Sequence, residues 1–125
     1  MDTSQFFYRN AIFSKSGNQV SLVDIENPEA EKHVLEGWFE AIFQLADGQH
    51  TVDELYFLTA SRYNGNPPGN LNKTIYSVLE QMVESKIVVL ADIATELPYY
   101  LSMPYELLDI EKAKKLLATD RANFN

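Results

Sequence analysis

The chain of 125 residues has no cysteine, no long apolar run and few basic side chains. Without cysteine it can form no disulfide, no thiolate metal site and no cysteine nucleophile. A membrane-spanning helix needs about 18 or more consecutive apolar residues, and the sequence offers none. The N-terminus, Met1 to Phe7, lacks the basic and apolar regions of a signal peptide. These absences predict a cytoplasmic protein that does not contact a membrane.

The shortage of basic side chains bears on the class of partner. Ten Lys and Arg residues stand against 18 Asp and Glu residues, which gives a formal net charge of -8. Such a surface repels phosphate backbones and favours neutral or basic partners. The segment Leu71–Ser85, which would be the recognition helix of a DNA-binding protein, offers only Lys73, and the strand after it adds only Lys86. The sequence therefore predicts no binding to nucleic acid.

The common catalytic and metal-binding motifs are also missing. His33 and His50 do not fall in an H-x-x-x-H or H-E-x-x-H pattern. The glycine-rich stretch Gly65–Gly69 lacks the Lys-Ser/Thr that completes a phosphate-binding loop. No serine lies in a G-x-S-x-G elbow. The sequence predicts a protein that is not an enzyme and that holds no metal and no cofactor.

The first third of the chain predicts strands followed by a helix. Residues 6–25 are rich in β-branched and aromatic side chains, with strands expected at Ala11–Lys15 and Gln19–Ile25. The Gly-containing segment Ser16–Asn18 between them has the length of a hairpin turn. Asn27 and Pro28 have the chemistry of a helix N-cap and first helical position, so a helix is expected from there to Asp47-Gly48.

The middle of the chain has the order of a winged helix-turn-helix. Thr51-Val-Asp-Glu54 is a capping box that predicts a helix extending to about Tyr63. Asn64–Asn70 contains only turn-forming residues. Apolar residues at helical spacing predict a third helix over Leu71–Ser85, and Ile87–Leu90 is expected to form the strand of the wing.

The composition changes after Asp92. Leu97–Tyr105 is rich in tyrosine and proline and predicts irregular structure. Asp109 is placed to cap a last short helix over Ile110–Ala118, and Thr119–Asn125 is expected to fray. The predicted organisation is one domain over residues 1–91 and a C-terminal extension over residues 92–125.

The fold class expected from these elements is α+β: a small N-terminal antiparallel sheet, then a three-helix winged helix-turn-helix, then the extension. The order of elements, the turn Leu45-Ala-Asp-Gly-Gln-His-Thr-Val-Asp-Glu-Leu55 and the segment Leu79-Glu-Gln-Met-Val-Glu-Ser-Lys-Ile-Val-Val-Leu90 resemble the PqqD-like family. Members of this family are precursor-peptide recognition elements for ribosomally synthesised and post-translationally modified peptides. The resemblance covers about residues 6–91.

The resemblance implies a function and a site. Such domains bind the leader of a substrate peptide as an added strand at a sheet edge, against the third helix, and present it to a modifying enzyme. Here the edge would be the Gln19–Ile25 strand, and the groove wall would be the Leu71–Ser85 helix. The expected peptide-binding residues are Val20, Ser21, Leu22, Val23 and Asp24 on the strand, and Asn72, Lys73, Tyr76, Ser77 and Glu80 on the helix.

The extension has two interpretations: it either packs back on the domain or docks a separate enzyme through Tyr99, Tyr100 and Tyr105. The second is preferred, because a free-standing recognition protein must hold its catalytic partner. That partner would be a radical S-adenosylmethionine enzyme, an iron-dependent oxidase or a similar peptide-modifying enzyme. Two other functions stay open at this point: an acidic winged-helix transcriptional regulator, and an interaction subunit of another enzyme complex.

Overall fold

The computed structural model describes residues 2–123 as an α+β protein with small antiparallel sheets. In chain order its elements are β1 (Phe6–Arg9), β2 (Phe13–Ser16), β3 (Gln19–Leu22), β4 (His33–Leu35), α1 (Trp38–Leu45), β5 (Asp47–Thr51), α2 (Val52–Ala60), a 3-10 helix (Ser61–Tyr63), α3 (Leu71–Glu84), β6 (Val88–Ala91), α4 (Tyr99–Ser102), a second 3-10 helix (Tyr105–Leu107) and α5 (Ile110–Asn123).

These elements form two compact units. Unit 1 contains residues 2–10 and 37–96, and unit 2 contains residues 11–36 and 97–123. The predicted division, residues 1–91 against residues 92–125, grouped the chain differently. In the structure the β2–β3 hairpin belongs with the C-terminal segment, so each unit is built from two separate stretches of sequence.

Unit 1 consists of a three-stranded sheet and three helices. The strand order is β5-β1-β6, and β1 is antiparallel to both neighbours. Both α1 and α2 contact α3, and α1 also contacts β1. Apolar side chains spaced three and four residues apart along α3 are buried, as expected for an amphipathic helix: Leu71, Ile75, Val78, Leu79 and Met82.

The start of α2 confirms the predicted capping box. The Thr51 hydroxyl accepts a hydrogen bond from the Glu54 amide at 3.2 Å, and the Glu54 carboxylate accepts one from the Thr51 amide at 3.1 Å. Two amides that have no partner inside the helix are thereby satisfied. The predicted loop at residues 64–70, the helix that follows and the strand after it are confirmed as well.

Unit 2 contains the hairpin, β4 and the C-terminal helices. Its sheet has the order β2-β3-β4, with Ser16 opposite Gln19 across the two-residue turn Gly17-Asn18. Its hydrophobic core joins the hairpin region to the C-terminal segment through six buried residues, Ile12, Ile25, Tyr100, Leu101, Leu108 and Ala113. The helix at α5 begins where predicted, because Asp109 accepts a hydrogen bond from the Lys112 amide at 3.2 Å.

Three predicted elements differ from the structure. The segment Leu97–Tyr105, predicted to be irregular, contains the short helix α4. The helix expected from Asn27 does not form there, because Asn27 and Pro28 begin a turn in which the Ala30 amide donates to the Asn27 carbonyl at 3.0 Å. The segment His33–Leu35 then forms β4 and pairs with β3. The helix α1 begins only after Gly37, whose φ of 57° ends the extended segment. The last helix is longer than predicted and continues to Asn123, and residues 124 and 125, which were expected to fray, lie outside the described residues.

Candidate functional site

The strand predicted to receive a peptide lies in the centre of the sheet in unit 2. Gln19–Leu22 pairs with β2 on one side, and Val20–Leu22 pairs with β4 on the other. Both sides of its backbone are therefore paired with neighbouring strands, and Val20 is fully buried. The prediction that this strand is a sheet edge is wrong, because the segment that follows it was interpreted as a helix and in fact supplies a third strand.

The five strand residues predicted to contact a peptide differ in exposure. Val20 and Ser21 are buried, Leu22 and Val23 are half-buried, and Asp24 is exposed. Val23 packs against the core of unit 2. The Asp24 carboxylate accepts a hydrogen bond from the Glu26 amide at 3.0 Å and so stabilises the turn after the strand. A peptide added to this sheet would therefore have to lie beside β2 or β4.

The outer edge of β2 is closed by a side chain. The Glu106 carboxylate accepts a hydrogen bond from the Lys15 amide at 3.0 Å and another from the Ser14 hydroxyl. Burial raises the pKa of Glu106, but these hydrogen bonds outweigh it and the net pKa lies below its ordinary value. An ionised Glu106 thus occupies the backbone donor that an added strand would need.

The outer edge of β4 is open among the described residues. The Val23 amide donates to the Ile12 carbonyl at 2.8 Å, which sets the alternation of hydrogen-bonded pairs along the sheet. By that alternation His33 and Leu35 direct their backbone groups toward β3. Val34, opposite Ser21, directs its N–H and C=O away from the sheet.

The Val34 side chain adds to this edge. It is 37% exposed, whereas the neighbouring Leu35 is only 4% exposed. An apolar side chain beside an outward-pointing backbone donor and acceptor is the arrangement that strand addition uses, because the backbone supplies affinity and the side chain supplies selectivity. The strand β4 was not predicted, although the sequence His-Val-Leu, placed between an Asn-Pro turn and a glycine, was the signal that could have found it.

The helical residues predicted to bind the peptide lie on α3 in unit 1. Asn72, Lys73, Ser77 and Glu80 are exposed and Tyr76 is half-buried. Burial raises the pKa of the Tyr76 hydroxyl, and the nearby side chains of Asp53 and Tyr56 on α2 raise it further. The helix and the strand residues thus belong to different units, and a peptide contact at α3 stays a prediction.

The three tyrosines predicted to dock a partner enzyme are used inside unit 2. Tyr100 is buried and donates a hydrogen bond to Asp120 at 2.6 Å, and burial together with this bond raises the pKa of Tyr100. The Tyr99 hydroxyl accepts from the Asp109 amide at 2.8 Å. Tyr99 and Tyr105 both pack against the core. The extension therefore packs on the hairpin region, whereas docking of a separate enzyme was the preferred interpretation of the sequence.

The histidines and carboxylates of the described residues 2–123 form no group of three or more that could hold a metal ion. His50 lies 3.0 Å from Asp47, measured from Nδ1 to the carboxylate oxygen. The same carboxylate oxygen accepts a hydrogen bond from the Gln49 amide, so this pair shapes the irregular strand β5. His33, predicted to lie on a helix, is on β4.

Comparisons with known proteins returned no match to a protein-family model, a curated protein or a solved structure. Within residues 2–123 no helix is long and apolar enough to cross a membrane.

Proposed function

We propose that this protein is a non-catalytic peptide-binding protein, and that an extended peptide binds it as a fourth strand beside β4. The observation that carries the proposal is the difference between the two edges of one sheet. The β2 edge is closed by Glu106, while Val34 on β4 offers an outward backbone donor and acceptor and an exposed apolar side chain.

The peptide we propose is the leader of a ribosomally made precursor, and the protein presents it to a separate modifying enzyme in the cytoplasm. A radical S-adenosylmethionine enzyme or an iron-dependent oxidase would suit this role. Because the partner carries the chemistry, the protein itself needs no cofactor. The resemblance to the PqqD-like family supports this assignment, since strand addition of a leader is the binding mode that the resemblance implies.

The proposal includes a winged helix-turn-helix in unit 1. Three features support it: α1 precedes α2 and α3, α2 packs on α3, and β6 follows α3 and pairs in the same small sheet as β5. β1 lies between β5 and β6, so the N-terminal strand occupies the middle of that sheet. Basic side chains are scarce here, since α3 contributes only Lys73 and the turn before β6 only Lys86, and this scarcity favours a peptide-recognition domain over a DNA-binding one.

The test is a binding measurement on the full chain. Fluorescein-labelled leader segments of short peptides encoded beside the gene are titrated with the protein and followed by fluorescence anisotropy. We expect a micromolar or tighter Kd for one of them. Val34→Pro removes the outward N–H and should reduce affinity at least tenfold, whereas Val34→Ile, which keeps the N–H and an apolar β-branched side chain, should bind with a similar Kd.

Two outcomes would contradict the proposal: folded wild-type protein that binds none of the leader segments, or a folded Val34→Pro variant that binds as tightly as wild type. Circular dichroism of each variant establishes that it is folded. The prediction that the peptide also contacts α3 is tested separately with Tyr76→Glu, which places a charge on that helix and should weaken binding. Unchanged affinity of the folded variant would contradict a contact at α3.

A further inference from the structure

Exposed glutamates precede and follow β4 in the sequence. Glu29 and Glu31 precede the strand and Glu36 follows it, and all three are exposed. Within the described residues none of these carboxylates has a hydrogen bond or an ion pair. Four other acidic side chains of unit 2, those of Asp24, Glu106, Asp109 and Asp120, each accept a hydrogen bond within the unit.

The one basic side chain beside these glutamates does not balance them. Lys32 lies immediately before β4, and its charge acts on Glu106, whose pKa it helps to lower. Lys32 is thus partly compensated by a carboxylate that belongs to the closed edge of the sheet. The segment from Glu29 to Glu36, which contains Val34, therefore carries an excess of negative charge, in a protein whose net charge is already -8.

Charge at a sheet edge selects what can pair with it. Natural edge strands are often protected by lysines, which repel other strands that also carry lysine. Here the flanking charges are negative, so they attract a strand that carries Lys or Arg and repel an acidic one. Each exposed pair contributes little by itself, but three together are enough for a preference of about tenfold at low salt.

The Val34 side chain adds a second selective feature. In an antiparallel or parallel ladder the residue paired with Val34 would place its side chain on the same face of the sheet. An apolar, preferably β-branched, side chain at that position would cover the exposed part of Val34. Removing this apolar surface from water would stabilise the complex.

We propose that the β4 edge is selective for a cationic peptide strand, with an apolar residue beside Val34 and Lys or Arg residues facing Glu29, Glu31 and Glu36. This inference rests on the proposed function, because it names the chemistry of the peptide that the same edge binds. The electrostatic part of the recognition is exposed to solvent and is therefore sensitive to salt.

The test uses three fluorescein-labelled synthetic nonapeptides in which valine alternates with a second residue. That residue is lysine in the first peptide, glutamine in the second and glutamate in the third. Anisotropy titrations with the full chain should give a Kd at least tenfold lower for the lysine peptide than for the glutamine peptide, and the weakest binding for the glutamate peptide. The advantage of the lysine peptide should shrink as the salt concentration rises from about 50 to 500 mM.

A charge-matched pair of variants locates the effect. In the triple variant Glu29→Gln, Glu31→Gln and Glu36→Gln the lysine peptide should lose its advantage. The control carries Glu84→Gln, Glu96→Gln and Glu111→Gln, three exposed glutamates outside the β4 region, and changes the net charge equally. The control should keep the advantage, and an equal loss in both variants would contradict the proposal.

The two proposals fail differently in this experiment. If all three peptides bind with similar Kd values and Val34→Pro weakens them all, the edge binds peptides without selecting charge, and only the present inference is overturned. If none of the three peptides and no leader segment binds, or Val34→Pro has no effect on any of them, the proposed function fails as well.

Discussion

Gly48 determines how the segment after β6 lies against β5. Its φ of 80° is in the left-handed region, and a Cβ atom built there would collide with the carbonyl oxygen of Thr95. The Thr95 amide in turn donates to the Gly48 carbonyl at 2.9 Å. The Asp47-Gly48 pair was predicted to end a helix, and α1 does end just before it. The contact with Thr95 could not be predicted, because it joins residues far apart in sequence.

Gly48→Ala should therefore lower the free energy of unfolding by about 2–4 kcal/mol, since it adds a positive-φ penalty to a backbone collision. Urea unfolding of both proteins gives the difference. Gly65→Ala is the matched control, because Gly65 has a φ of 82° but nothing within 4 Å of the added atom. It should cost about 1–2 kcal/mol. Equal losses in the two variants would contradict the collision with Thr95.

Glu106 gives the sheet in unit 2 a dependence on pH. Its folded pKa lies below the ordinary value of 4.5, so its contribution to stability is present above that pH and is lost as the pH falls through the folded pKa. Glu106→Gln should therefore destabilise the protein above the ordinary pKa of 4.5, and the difference from wild type should narrow as the pH falls below that value. Unfolding free energies at several pH values measure this. A difference that stays constant with pH would argue against an ionised carboxylate at this edge.

At the scale of elements, local sequence signals were sufficient to predict those helices and loops that carry their own start signal. The capping box, the loop at residues 64–70 and the periodic apolar face of α3 are all local, and each was predicted correctly. The segment from Asn27 to Gly37 was not, because Asn followed by Pro suits a turn as well as a helix start. Only pairing of His33–Leu35 with β3 decides between them, and that pairing is a tertiary interaction.

The capping box should make a measurable contribution to the free energy of unfolding. Thr51→Ala removes the hydroxyl that accepts from the Glu54 amide and should cost about 1 kcal/mol of unfolding free energy. Thr51→Ser keeps the hydroxyl and should cost clearly less. Thermal or urea unfolding distinguishes them. If alanine and serine behaved alike, the stability of α2 would not depend on this cap.

At the scale of the whole molecule, the chain passes three times from one unit to the other, and this is the feature that the sequence did not reveal. Composition changes after Asp92 and suggested an appended tail. In the structure Tyr100, Leu101 and Leu108 complete the core around Ile12 and Ile25. Apolar periodicity shows that a segment has a face to bury, but it does not show which distant segment covers that face.

Substitutions in the C-terminal segment test this arrangement. Leu101→Ala removes a side chain that is 4% exposed and should cost about 3 kcal/mol of unfolding free energy, whereas Leu107→Ala, at a side chain 69% exposed, should change it by less than about 0.5 kcal/mol. Urea unfolding measures both. A docking tail that does not contribute to the fold would give small and similar changes at the two positions.

The open β4 edge is tested most directly by hydrogen exchange of single amides, followed by NMR with and without a saturating leader peptide. The Val34 amide points away from the sheet and should exchange rapidly in the free protein, then become at least tenfold slower in the complex. The His33 and Leu35 amides already face β3 and should change little by comparison. Slowing at Val34 would establish strand addition at this edge. Peptide binding that leaves the exchange rate of Val34 unchanged would contradict it.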